Sequence, residues 1–89
     1  MTGELFPLGR TVATPGALQA LEAAGSDAAE LLARHQRGDW GDVEDRDRNN
    51  AAVFYGRARI VSCYPLGDTH IWVITEADRT YNAAKGDVT

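Results

Sequence analysis

The sequence is poor in cysteine, and this excludes one means of stabilising a small fold. Cys63 is the only cysteine among 89 residues, so an intramolecular disulfide cannot form. Chains without disulfides are typical of reducing compartments. We therefore predict a cytoplasmic protein.

Long apolar runs are absent too. The run from Ile71 to Ile74 is far shorter than the roughly 20 apolar residues that a membrane-spanning helix needs. The first residues also lack the basic and apolar regions of a signal peptide. We expect a soluble protein that makes no membrane contact.

Lysine is nearly missing. Lys85 is the only lysine, the other eight basic residues are arginines, and the formal net charge is -4. Binding to phosphate backbones requires clustered lysine and arginine. The charge balance therefore argues against nucleic acid as the partner.

No motif for catalysis or metal binding is present. His35, His70 and Cys63 are the candidate soft ligands, but none lies at a metal-ligand spacing from another. Cys63 and His70 could act as nucleophile and base only if a hairpin placed them on one face. Cys63 lies among apolar residues, where thiols are inert. We predict no cofactor, no metal and no enzymatic activity.

The chain length predicts a single domain over residues 1–89, because two cores would each be too small to fold unaided. We expect an ordered core over residues 10–78 and a frayed tail over 79–89, where apolar residues are sparse. Residues 1–9 either cross the core or form an edge strand.

Three short helices are predicted before residue 57. Thr14 is a candidate N-cap for a helix from Pro15 to Ala24, and Ser26 for a second helix that ends before Gly38. The second helix has one apolar face, formed by Ala28, Leu31, Leu32 and His35. The third helix is expected from an N-cap at Asp42 to Gly56, and its thin core face consists of Val43, Ala51, Phe54 and Tyr55.

Two strands follow the helices. Residues 57–64 and 69–76 are dense in β-branched and aromatic residues, and Pro65 to Asp68 between them has turn chemistry. They predict an antiparallel hairpin. The fold class is therefore α+β, with three short helices packed on an antiparallel β-hairpin or on a small three-stranded sheet.

The stretch from Arg34 to Val43 joins two helical patterns and holds Trp40 between Gly38 and Gly41. Trp40 either anchors a partner or plugs the junction between the helices. Acidic residues gather around it and continue into the third helix, where they form either a solvated face or a partner-binding face. The candidate partner-binding residues are Asp39, Trp40, Asp42, Glu44, Asp45 and Asp47.

Two segments, Leu31 to Val43 (LLARHQRGDWGDV) and Ile71 to Arg79 (IWVITEADR), carry a resemblance. Over roughly residues 8–80 the chain resembles a family of small bacterial proteins that accompany plasmids and other mobile elements. Some of them carry an automatic label as type I restriction-modification components. The resemblance implies a mobile-element context, in which small acidic proteins include anti-CRISPR and anti-restriction inhibitors, and it carries over no catalytic residue.

The leading hypothesis is a non-enzymatic, protein-binding inhibitor that blocks a CRISPR effector or restriction complex through its acidic surface. The alternative is a small regulatory or accessory domain that binds operator DNA or a replication protein. That alternative requires four arginines to converge on one face: Arg46, Arg48, Arg57 and Arg59.

Overall fold

The computed structural model describes residues 4–44, 46–56 and 58–86. Along these ranges the elements are β1 (Arg10–Ala13), α1 (Pro15–Ala23), α2 (Ala28–Gln36), α3 (Arg46–Tyr55), β2 (Ile60–Leu66), β3 (Thr69–Thr75) and β4 (Tyr81–Gly86). The α+β class is as predicted, with three helices and four strands in the described residues.

The four strands form one mixed sheet in the order β1-β4-β3-β2. β2 and β3 are the predicted antiparallel hairpin, with Cys63 opposite Trp72. β4 pairs antiparallel with β3 and parallel with β1. The expectation of a hairpin or a three-stranded sheet is therefore corrected to four strands, because both ends of the described chain contribute a strand.

β4 lies inside the sheet, although we expected a frayed tail from residue 79. Its side chains Asn82 and Ala84 are buried on the helix-covered face. A Cβ added at Gly86 would lie 3.6 Å from the backbone of Gly16, so small residues allow α1 to approach the sheet closely. Alanine and glycine have low strand propensity. The composition of residues 81–86 therefore does not predict β4, because the place of this strand depends on close packing with α1.

The helix starts follow local capping chemistry. The Thr14 hydroxyl accepts a hydrogen bond from the Ala17 amide at 3.2 Å, and Pro15 occupies the first helical position, as predicted. Asp27, not Ser26, caps α2, since its carboxylate accepts from the Ala29 amide at 2.9 Å. α3 begins at Arg46 and not directly after Asp42, whose amide donates to the Cys63 carbonyl instead.

The helices cover one face of the sheet with two groups of core residues. The first unites α1, α2 and the sheet: Ala17, Leu21, Leu31, Tyr64, Ile71, Val73 and Ala84. The second lies under α3 and the N-terminal segment: Phe6, Trp40, Ala52 and Ile60. The predicted face of α2 is confirmed, with Leu31 and His35 buried and Ala28 and Leu32 packed beside them.

The outer edge of β2 is closed along its length. The Asn49 side chain donates to the Val61 carbonyl at 2.6 Å and accepts from the Val61 amide at 3.1 Å. Two positions on, Gly41 forms a parallel bridge with Cys63, and the next outward position is Pro65, which has no amide donor. Unpaired strand edges invite other chains. This edge therefore cannot recruit an additional strand.

Candidate functional site

The predicted acids occupy the N-terminal end of α3. Asp42 and Glu44 are exposed in the loop before the helix, and Asp47 is exposed in its first turn. Asp45 lies outside the described residues. Arg46 and Arg48 are also exposed here, and Arg46 donates to the Gly41 carbonyl at 3.3 Å. The acidic surface is thus a real feature of the fold, interleaved with two arginines.

Asp39 is separated from this group by its own ion pair. Its carboxylate accepts from Arg34 Nε at 2.7 Å, and this hydrogen bond holds the pKa of Asp39 below its ordinary value. Both side chains are partly exposed, so the pair is worth at most about 1 kcal/mol. Its backbone carbonyl accepts from the Tyr64 hydroxyl at 2.7 Å. Asp39 therefore fixes the loop after α2 and contributes little to the acidic surface.

Trp40 is buried, with 1% of its surface exposed. Its indole stacks on Phe6 at 6.4 Å between ring centroids, and its Nε1 donates to the Asn50 side chain at 3.1 Å. The glycines on either side, at φ +87° and +70°, turn the chain so that the indole points inward. The candidate role of Trp40 in binding is thereby corrected: it plugs the junction between α2 and α3.

The exposed aromatic residues of α3 were missed by sequence reasoning. Phe54 is 82% exposed and Tyr55 71%, and their rings meet edge to face at 5.0 Å between centroids. We expected Phe54, Tyr55 and Ala51 to face the core. The structure instead buries Asn49 and Ala52, so the buried side of α3 is not the side on which Ala51, Phe54 and Tyr55 lie. A buried asparagine hid the phase of this helix from an apolar pattern.

An open cleft lies beside the start of α3. Its volume is about 460 Å³, and its lining is Asp42, Val43, Glu44, Arg48, Asn49, Arg59, Val61 and Trp72. Arg59 forms a two-bond ion pair with Glu76, with both nitrogen to oxygen distances at 3.2 Å. The cleft thus combines an aromatic wall, two arginines and two carboxylates.

Two other hypotheses from the sequence, DNA binding by four arginines and catalysis by Cys63 and His70, each require a group of side chains at one site. Of the four arginines required for duplex DNA binding, Arg48 and Arg59 line the same cleft, whereas Arg57 lies outside the described residues. The lining of that cleft includes neither Cys63 nor His70. Within the described ranges, no group of three or more histidine, cysteine or acidic side chains could hold a metal ion.

His35 is the centre of a buried polar network. Its Nδ1 lies 2.6 Å from the Ser62 hydroxyl and its Nε2 lies 2.8 Å from Thr75 Oγ1. Because Thr75 donates its own proton to Asn82 at 2.9 Å, its oxygen accepts from Nε2, and Ser62 donates to Nδ1. His35 is therefore neutral. Burial lowers its pKa to about 4, and the positive charge of Arg79 acts in the same direction.

Arg79 connects the turn after β3 to α3. Its guanidinium donates to the carbonyls of Ala52 at 3.0 Å, Ala58 at 2.8 Å and Glu76 at 3.0 Å. Its backbone has φ +62°, a conformation that arginine rarely adopts. His35, Trp40 and Arg79 all belong to the two segments that carry the resemblance. Each of them has an architectural role in the structure.

Comparison with family models, with curated proteins and with solved structures finds no match to the chain. Among the described residues, no helix is both long enough and apolar enough to cross a membrane.

Proposed function

We propose that this protein is a non-enzymatic inhibitor that binds a protein target through the outer face of α3. The observation that carries the proposal is the exposure of Phe54 and Tyr55, 82% and 71%. Two adjacent, largely exposed aromatic side chains in so small a fold are typical of an interaction site. Large aromatic side chains often supply most of the binding energy at an interface.

Charge and apolar surface are arranged along one side of this helix. Asp47, Ala51 and Phe54 are all exposed at positions i, i+4 and i+7, opposite the buried Asn49 and Ala52. Seven residues span about 10 Å of helix. A helix with acids at its start and an aromatic side chain at its end fits a groove with a basic rim and an apolar pocket.

Host defence complexes that handle nucleic acid offer such grooves. Binding to phosphate backbones requires rows of lysine and arginine, and an acidic helix can occupy the same surface. The resemblance to mobile-element proteins points to a CRISPR effector or a restriction complex as the target, within the cytoplasm. In this proposal the inhibitor competes for a basic groove, and Phe54 replaces Trp40 as the expected anchor.

The test is binding of the purified protein to purified CRISPR effector and restriction complexes, measured by calorimetry. Phe54→Ala should weaken binding about 30-fold, which corresponds to roughly 2 kcal/mol at an interface hot spot. The double variant Asp42→Lys, Asp47→Lys should weaken binding most at low salt.

Leu18→Ala is the matched control, because Leu18 is an exposed apolar residue on a different helix, α1. It should bind as the unmodified protein does. If Phe54→Ala and the double lysine variant both bind as tightly as the unmodified protein, α3 is not the binding face. Failure of the unmodified protein to bind any defence complex would refute the choice of target.

A further inference from the structure

The sheet has a second face that the helices do not cover. On β3, Ile71, Val73 and Thr75 are fully buried against the helices, whereas Trp72 between them is 37% exposed. On β4, Asn82 and Ala84 are buried, while Tyr81 and Lys85 are exposed. We use the name open sheet face for the outward side chains of the four strands: Arg10, Val12, Val61, Cys63, Pro65, His70, Trp72, Ile74, Tyr81, Ala83 and Lys85. Cys63, opposite Trp72, is only 3% exposed, so the face is covered at that position on β2.

Two aromatic side chains stand on the two inner strands of this face. Trp72 is on β3, and Tyr81, which is 41% exposed, is on β4. Trp72 is the register partner of Lys85, four residues along β4 from Tyr81. From the rise per residue and the strand spacing, the two aromatic positions are roughly 14 Å apart. That distance corresponds to about four stacked base steps of 3.4 Å.

Each aromatic residue has a basic residue opposite it on the neighbouring strand. Lys85 pairs with Trp72, and Arg10 pairs with Tyr81. Both basic side chains are exposed. The face therefore has two pairs of an aromatic ring and a positive charge. In each pair the ring can stack on a base and the charge can contact a phosphate of a nucleic-acid strand.

The net charge of the whole chain does not determine the field at this face. Glu22 and Glu30 lie on the exposed sides of α1 and α2, behind a helix layer about 10 Å thick. The Debye length is about 8 Å at physiological ionic strength, so these charges are largely screened. Nearer to the face, Glu76 directly after β3 is paired with Arg59, while Asp42 and Glu44 lie at the β2 side in the lining of the cleft.

The cleft opens at the β2 side of this face, where Trp72 forms one wall. Arg59 in its lining is held by the ion pair with Glu76, while Asp42 and Glu44 can accept hydrogen bonds from the exocyclic amino groups of a base. The same carboxylates would repel the two continuous phosphate rows of a duplex. The cleft therefore suits one splayed base and disfavours double-stranded nucleic acid.

We infer that the open sheet face binds single-stranded nucleic acid, with bases stacked on Trp72 and Tyr81 and phosphates held by Arg10 and Lys85. The site does not depend on the proposed function: its aromatic and basic residues are on the sheet and not on α3, and Asp42 is the one residue that both proposals use. It differs from the sequence-based expectation, because local placement of the few basic residues outweighs the overall negative charge.

The test is fluorescence anisotropy with labelled oligodeoxycytidylate and oligocytidylate of about ten nucleotides, at 50 mM salt, because cytosine carries an exocyclic amino group. We expect a dissociation constant of about 100 μM or tighter, and the log of the association constant should fall with log salt with a slope of about -1.4 for two phosphate contacts. The two oligonucleotides distinguish a DNA from an RNA ligand. A duplex of equal length should compete poorly.

Trp72→Ala should weaken binding roughly tenfold, as expected for loss of one stacked base. The double variant Arg10→Ala, Lys85→Ala changes only exposed side chains and should abolish most of the salt dependence, even if Trp72→Ala folds poorly. Oligonucleotide should quench the fluorescence of the unmodified protein but not that of Trp72→Phe, in which the buried Trp40 is the remaining emitter.

Leu18→Ala and Arg37→Ala are the controls, since both side chains are exposed on the helical side of the molecule. Neither should change oligonucleotide affinity. Absence of binding at 50 mM salt would overturn the inference. It would also be overturned if the protein bound the duplex as tightly as the single strand, or if the open-face variants bound the single strand as tightly as the unmodified protein. Concentration-dependent self-association that Trp72→Ala abolishes would also overturn it, by assigning the face to a second copy of the chain.

Discussion

Mild acid should destabilise the folded protein through His35. In the folded state its imidazole is neutral and fully buried, and both ring nitrogens are already used by Ser62 and Thr75. A second proton on Nδ1 would force the Ser62 hydroxyl to turn and accept, and it would put a positive charge in a buried position near Arg79. The unfolded chain has no such constraint, so it takes up the proton at a higher pH.

The size of the effect follows from the two pKa values. Burial lowers the pKa of His35 from 6.5 to about 4, and each pKa unit is worth 1.36 kcal/mol. The contribution to stability is therefore fully present above pH 6.5 and is lost progressively as the pH falls towards 4, by roughly 3 kcal/mol in total. Small domains have only about 5 to 15 kcal/mol of stability. A loss of this size is readily measured.

The measurement is urea unfolding at pH 7.5 and pH 4.5 for the unmodified protein and for His35→Gln. Glutamine offers one donor and one acceptor but does not titrate, so the variant should start less stable and lose roughly 2.5 kcal/mol less between the two pH values. The other titrating groups are common to both proteins and cancel in the comparison. Equal pH dependence in the two proteins would show that His35 is not the group responsible.

Three further predictions concern architecture. Gly41→Ala should lower the free energy of unfolding in urea by several kcal/mol, because Gly41 has φ +70° and a Cβ there would collide with the Cys63 carbonyl. Gly67→Ala has open space around the new Cβ, so it should lower the free energy of unfolding by only about 1 kcal/mol. Arg79→Lys should lose about 2 kcal/mol in the same assay, since one ammonium cannot reach all the carbonyls that the guanidinium bonds. The Trp72→Phe variant should emit at short wavelength and resist acrylamide quenching, because its remaining tryptophan, Trp40, is buried; a solvent-exposed spectrum would contradict the placement of that residue.

Local signals in the sequence were sufficient for the helix starts and the hairpin. Thr14 followed by Pro15 determines where α1 begins, and the apolar spacing of α2 determines which side it buries. The strands β2 and β3 combine β-branched residues with a turn at Gly67, which has φ +64°. These features depend on residues within one or two turns of each other, so no tertiary information is needed.

Tertiary contacts decide the features that the sequence did not reveal. β4 has little intrinsic strand propensity, and it is held by pairing with strands from both sides and by close packing of α1 on Ala84. The phase of α3 is set by Asn49, which bonds the edge of β2 and so turns Phe54 outward. Helical periodicity cannot show that a polar residue is buried because it bonds a strand that is distant in the sequence.

The exposure of the acids could be predicted from the sequence, whereas the place of Trp40 could not. The exposed acids Asp42, Glu44 and Asp47 lie where the charge pattern indicated. Trp40 was ambiguous, because a tryptophan between two glycines suits both a surface loop and an inward turn. Only its contacts with Phe6 and Asn50 resolve the choice in favour of the core.

The position of β4 between β1 and β3 also determines the order in which the sheet can assemble. Arg10 pairs with Tyr81, a separation of 71 positions, whereas β2 and β3 are joined by a tight turn. During synthesis the hairpin can form as soon as it emerges, but β1 has no strand to pair with until β4 has been made. Contacts so distant in sequence slow folding. Until that last pairing, the inner edge of β3 stays open, and the nascent chain is most prone to pair with another molecule there.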